Sequence, residues 1–226
     1  MAPGTFAWPA LTDLPARPRR FVWHWTAGAH RSTGEERLRY HVLVEHIDGD
    51  PTDPADDVIR IAGGVPLARN MTSVSGLAAH HDPDQGYAAH VAGLNSYSGA
   101  ISLCGMRGAV DYRPGGSVSP GPSPITLAQV RAMLALSAQA ATLYELEVSE
   151  RTFLGHYEVG RVYGVELTRG RWDVSWLPAL GLSKDDAGPY LREQLVRWLR
   201  SERIDERLYD PPPGASSRYE GWGEDG

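Results

Sequence analysis

Apolar and polar positions change rhythm along the chain, and the changes mark out its elements. Phe21-Val-Trp-His-Trp25 is almost continuously apolar and predicts a buried strand that stops at Thr26-Ala-Gly28. Residues 33–40 predict a short helix, with Ser32 or Thr33 as cap and Glu35 or Glu36 near its positive end. His41-Val-Leu-Val-Glu45 alternates and then meets Asp48-Gly49, a hairpin signal; 58–62 is the return strand, and the polar stretch 51–57 lengthens the turn. Residues 100–104 read as a buried strand and 108–124 as a loop rich in Gly, Pro and Ser. Residues 126–145 predict the clearest helix, because Thr126 and Gln129 form a capping-box pattern and Val130, Met133, Leu134, Leu136 and Leu143 recur at helical spacing. A short strand at 151–154 and an amphipathic helix at 185–201 follow. Strands interleaved with helices, a hairpin among them, predict an α/β fold: a single domain with a mixed central β-sheet packed by helices. Its expected bounds are 20–201, after an extended N-terminal arm at 1–19 and before an acidic, Pro-containing tail at 202–226.

Composition narrows the class. The chain has 226 residues, 42% hydrophobic and 22% charged, which suits one sizeable globular core. A net charge of −6 argues against nucleic-acid binding by bulk electrostatics. The tail holds three arginines and seven acids, so most of that charge lies there. It is poor in aliphatic residues but carries Tyr209, Tyr219 and Trp222, so it is expected to be a docking peptide for its own domain or for a protein partner. Cys104 is the sole cysteine, which rules out an intrachain disulfide. The first residues lack a basic and apolar leader pattern, and no apolar run approaches the length of a membrane span. No membrane insertion is therefore expected.

His24 is the first candidate for chemistry. An imidazole at the end of a core strand, beside a turn, is held rigidly and can face a cleft, as a metal ligand must. The other reading is a core histidine satisfied by a backbone carbonyl. The segments Gly155-His156-Tyr-Glu158 and Arg169-Gly-Arg-Trp-Asp173 supply further ligand types downstream.

Four segments, taken in order, carry a resemblance. They are Val22-Trp-His24-Trp-Thr26-Ala-Gly28; Tyr40-His41-Val-Leu-Val with Asp48-Gly49; Ala89-His90-Val-Ala-Gly93-Leu-Asn95-Ser-Tyr-Ser98-Gly-Ala-Ile101; and Gly155-His156-Tyr-Glu158. Over about residues 20–178 the chain resembles the zinc-dependent N-acetylmuramoyl-L-alanine amidases, a superfamily that includes phage lysozyme-type amidases and peptidoglycan-recognition proteins. The resemblance implies Zn2+ held by His24, His156 and Asp173. Two neutral imidazoles and one carboxylate leave a fourth position for water and a net positive site. Asp173 matches the family's third ligand because Asp-x-x-Trp-Leu-Pro follows as it does there, although residues 162–168 would then be an inserted loop, and Glu166 is the rival ligand. Glu158 suits a hydrogen bond behind the ligands.

The family's catalytic Lys falls at Arg171, which can stabilise an oxyanion but stays charged; a solvated arginine is the alternative. Ser102-Leu-Cys104 offers no acid where the anhydro-muropeptide amidases carry Glu, so the resemblance points to Tyr40 as the catalytic group, with packing as the alternative. His90, Asn95 and Trp25 are the implied substrate contacts. His41 is expected to be structural, His30, His46, His80 and His81 to lie at the surface or in loops, and Cys104 to be buried and inert. The implied function is hydrolysis of the amide between N-acetylmuramic acid and L-alanine in peptidoglycan, as in a phage endolysin or a virion-associated wall hydrolase. A non-catalytic peptidoglycan-binding or structural tail module on the same fold is the alternative.

Overall fold

The computed structural model describes residues 6–51, 57–74, 86–111, 118–165, 170–182, 186–205 and 208. The apolar run forms β1 (Arg20–Trp25), which lies inside a five-stranded mixed sheet. The others are β2 (Val42–Asp48), β3 (Val58–Gly63), β4 (Ser98–Leu103) and β7 (Phe153–Gly155), in the order β3-β2-β4-β1-β7. β1 runs parallel to both β4 and β7, β2 is parallel to β4, and the β2–β3 hairpin is antiparallel. The expected loop at 108–124 contains a small antiparallel pair, β5 (Val110–Asp111) and β6 (Val118–Ser119). The helices are α1 (Gly34–Arg37), α2 (Leu127–Leu143), α3 (His156–Tyr163) and α4 (Ala187–Leu199). The α/β class and the mixed sheet are as the pattern predicts.

Strand alternation divides the two faces of the sheet. Phe21, Trp23, Trp25, Val42, Val44, Ile101 and Leu103 join Val130, Met133 and Leu134 of α2 and Leu191 and Leu195 of α4 in the main core. Val22 points the other way, where Leu154, Val91 and Val159 of α3 form a second cluster. His24 has the parity of Val22, so it emerges on the α3 side. Both expected caps are present: Thr33 and Thr126 each accept from the backbone N–H three residues on, and Glu36 and Gln129 return the bond.

Within the N-terminal segment, residues 8–17 rest on the domain. Trp8 is buried and its indole donates to the Leu136 carbonyl of α2 at 3.0 Å. Tyr144 donates to the Pro9 carbonyl at 3.0 Å, and Arg17 to the Tyr144 carbonyl at 2.5 Å. Trp8 and Leu14 supply apolar area that an extended, solvated arm would leave wet, and a fully buried residue of this kind is worth roughly 1.5–3 kcal/mol. The start of the acidic tail also rests on the domain. Tyr190 donates to Asp205 at 2.8 Å, Asp205 N–H donates to the Gln194 side chain at 2.8 Å, and Leu208 is buried in the main core. Tyr209, Tyr219 and Trp222 lie outside the described residues.

Candidate metal centre

Parallel pairing brings the first two candidate ligands together. In register, Trp23 of β1 stands beside Gly155, the last residue of β7. His24 and His156 each come one position later, at the carboxyl ends of adjacent parallel strands, where open α/β sheets place their ligands. β1 ends because Ala27 takes a left-handed backbone (φ 57°) and because a side chain at Gly28 would run into the Glu36 carboxylate.

His156 is the first residue of α3. Glu158 makes that turn. Its carboxylate accepts from the Gly155 N–H at 2.9 Å, and Arg192 of α4 binds both of its oxygens at 2.8 and 2.9 Å. Glu158 therefore acts through the backbone before His156.

Asp173 completes the cluster. Its Oδ2 lies 3.0 Å from His24 Nδ1 and 3.0 Å from His156 Nδ1. One donor atom from each of the three residues lies within 4.8 Å of the others, and among the described residues this is the cluster of metal-ligand type. The Asp173 turn is held by Trp172, whose ring meets Trp25 edge-on at 5.0 Å, and by Val174, which is fully buried with a left-handed backbone (φ 63°). A β-branched residue rarely adopts that conformation, so packing imposes it, and it falls next to a candidate ligand. Glu166, the rival ligand, lies outside the described residues, as do His80 and His81.

The electrostatics suit metal capture. Burial holds the His24 imidazole down to about 4, against the pull of Asp173, so it is neutral at pH 7. Burial would raise the Asp173 carboxyl, but the charge of His156 and the hydrogen bonds from both imidazoles outweigh it and hold it well below the usual carboxylate range. A neutral imidazole and an ionised carboxylate are the states in which these groups bind zinc. The donor set and its convergence fit a metal ion.

The other candidate residues fall into two groups. The Tyr40 ring, partly buried, lies 5.2 Å from the His24 ring. Burial, reinforced by Asp173, pushes its phenol upward, so it stays protonated and serves as a donor. Arg171 is exposed two residues before Asp173. The three residues expected to contact substrate are all buried. Trp25 is buried behind Trp172. Asn95 is 3% exposed, and its side-chain oxygen accepts from the backbone N–H groups of His90 and Val91 at 3.0 and 2.8 Å. It braces a turn, and an Asn in a turn looks the same in sequence whichever role it has. His90 is 6% exposed and packs behind His24, with its Nδ1 3.2 Å from His24 Nε2.

His41 is structural as expected, accepting the Ala100 N–H at 2.9 Å, and burial pushes the Cys104 thiol up. Arg192 and the pairing of half-buried His46 with Asp57 at 2.5 Å were not foreseen, since nothing local in the sequence relates those positions. A comparison with models of known protein families finds no match, and neither does a comparison with curated proteins.

Proposed function

We propose that this chain is a zinc-dependent amidase that hydrolyses the bond between N-acetylmuramic acid and L-alanine in peptidoglycan. The observation that carries the reading is the convergence of His24 Nδ1 and His156 Nδ1 on one oxygen of Asp173 at the carboxyl ends of β1 and β7. The order of the four sequence segments over about residues 20–178 adds the substrate class. His24, His156 and Asp173 would hold the ion, which when bound supplies Lewis acidity and an acidified water. Tyr40, held protonated beside His24, donates to the oxygen that gains charge when the amide carbon becomes tetrahedral. Arg171, two residues before Asp173, brings a permanent positive charge that acts on His24 without exchanging protons.

Elemental analysis of the purified protein, together with mass spectrometry of digested peptidoglycan, tests the reading. The expected result is one zinc per chain and stem peptides released with a free N-terminal L-alanine. Glycan-strand cleavage, or intact peptidoglycan with zinc-loaded protein, would sink it. The second reading, a peptidoglycan-binding module without catalysis, is favoured by one observation: Ser102 stands opposite His24 on β4, where an acid would be needed for a carboxylate base.

A further inference from the structure

We propose that His90 is a positioning residue for the metal centre: its bond to His24 fixes which ring nitrogen of His24 faces the donor cluster. The inference rests on the metal reading above and on the geometry around His24. That ring touches polar partners on both sides, with Nδ1 3.0 Å from Asp173 Oδ2 and Nε2 3.2 Å from His90 Nδ1.

A neutral imidazole carries one proton on one nitrogen and a lone pair on the other. Coordination through Nδ1 uses the lone pair there, so the His24 proton must sit on Nε2. Only one proton fits between the facing nitrogens. His24 Nε2–H therefore donates to His90 Nδ1, and His90 keeps its own proton on Nε2. The pair rearranges two protons over four nitrogens and neither gains nor loses one. Without a metal, His24 can instead donate from Nδ1 to Asp173, with His90 Nδ1–H donating to His24.

The surroundings hold the His90 ring in place for this task. Asn95 accepts its backbone N–H, and the Asn70 side chain pins the same segment through the backbone of Ala88 and Asn95 at 2.8–3.0 Å. The His41 ring lies 5.6 Å away and is itself fixed by the Ala100 N–H. His90 is 6% exposed, so its ring is enclosed by protein on most sides. Ligating histidines usually give their second N–H to a carboxylate or a carbonyl. A neutral imidazole in that place orients the ring without a second buried negative charge. Asp173 is then the one anionic residue of the donor set, and no second carboxylate behind His24 would offset the charge of an ion held there.

The test measures Zn2+ affinity of the full chain by competition with a chromophoric chelator near pH 7. His90→Phe keeps a ring of similar size and removes the acceptor; affinity should fall by roughly 10–100-fold. His90→Asn restores an acceptor oxygen near the Nδ1 position and should stay within about 5-fold of the unaltered protein. Nitrogen-15 ring spectra of the zinc-loaded protein should show His24 protonated on Nε2. Unchanged affinity in His90→Phe, equal losses in both variants, or a His24 proton on Nδ1 would overturn the proposal. Should His90→Phe fail to fold, His90→Asn and the ring spectrum still decide. Protein that binds zinc but leaves peptidoglycan intact removes the amidase reading, and the affinity comparison still decides the role of His90. Protein that binds no zinc overturns both.

Discussion

Arg192 grips both carboxylate oxygens of Glu158, at 2.8 and 2.9 Å, two residues beyond His156. The same guanidinium donates to the Phe153 carbonyl of β7 at 3.2 Å, so α4 clamps the turn that presents a candidate ligand. Glu158 is buried and Arg192 nearly so. Without Arg192 the buried Glu158 carboxylate keeps only the exposed Arg161 as a cationic partner, at 3.4 Å, and Arg192→Met should cost about 3 kcal/mol in equilibrium unfolding. The double variant Glu158→Gln, Arg192→Met should recover at least half of that loss. If the double variant is as unstable as the single, the ion pair is not the source.

Tyr40→Phe should leave zinc content intact and lower turnover by roughly 10²-fold, the scale for losing one positioned donor. The phenol lies beside His24, not among the donor atoms, so metal content and turnover should separate. Near-normal turnover would reduce Tyr40 to packing on Leu43 and Cys104.

The metal-free protein should lose stability as pH falls from about 6.5 toward 4. Burial holds His24 and His41 down to about 4 in the folded chain, whereas both bind protons near 6.5 once unfolded. Proton uptake therefore favours the unfolded chain throughout that window. Asp173, depressed below the ordinary carboxylate value, adds a loss in the same direction at lower pH. His41→Asn keeps an acceptor for the Ala100 N–H and removes one titrating group. It should flatten the pH slope by up to one proton, about 1.4 kcal/mol per pH unit. An unchanged slope would show that His41 does not titrate on unfolding.

Truncation within the tail should separate two parts. Removing residues 202–226 takes away buried Leu208 and the Asp205 bonds to Tyr190 and Gln194. A loss of about 2 kcal/mol corresponds to a Tm lower by roughly 4–8 °C for a chain of this size. Removing only 211–226 should leave Tm nearly unchanged, as scanning calorimetry would show.

Much of this architecture is legible in the chain because its signals are local. The apolar run at 21–25, the Thr126/Gln129 box and the Asp48-Gly49 turn each name their own element. The start of α3 was not legible: Gly155 offers no capping side chain, and Glu158 in Gly-His-x-Glu reads equally as ligand-motif or helix-capping residue. The site shows the same division. His24, His156 and Asp173 are marked by residue type and order. The placement of Asn95 and His90 depends on how the 86–98 segment packs, and that of Trp25 on its contact with distant Trp172; a linear pattern encodes neither.

His24 and Asp173 are 149 positions apart, and only the completed β1–β7 pairing brings their neighbourhood together. Such long-range closure comes late in folding, because distant segments must meet before their contacts reward the meeting. During synthesis the strand bearing His24 therefore leaves the ribosome long before its partners exist. A nascent chain shorter than about 150 residues carries His24 without His156 or Asp173, so the three-residue donor set does not yet exist. An ion held by these three residues would be captured only once the central sheet is whole, and retained metal would report finished folding.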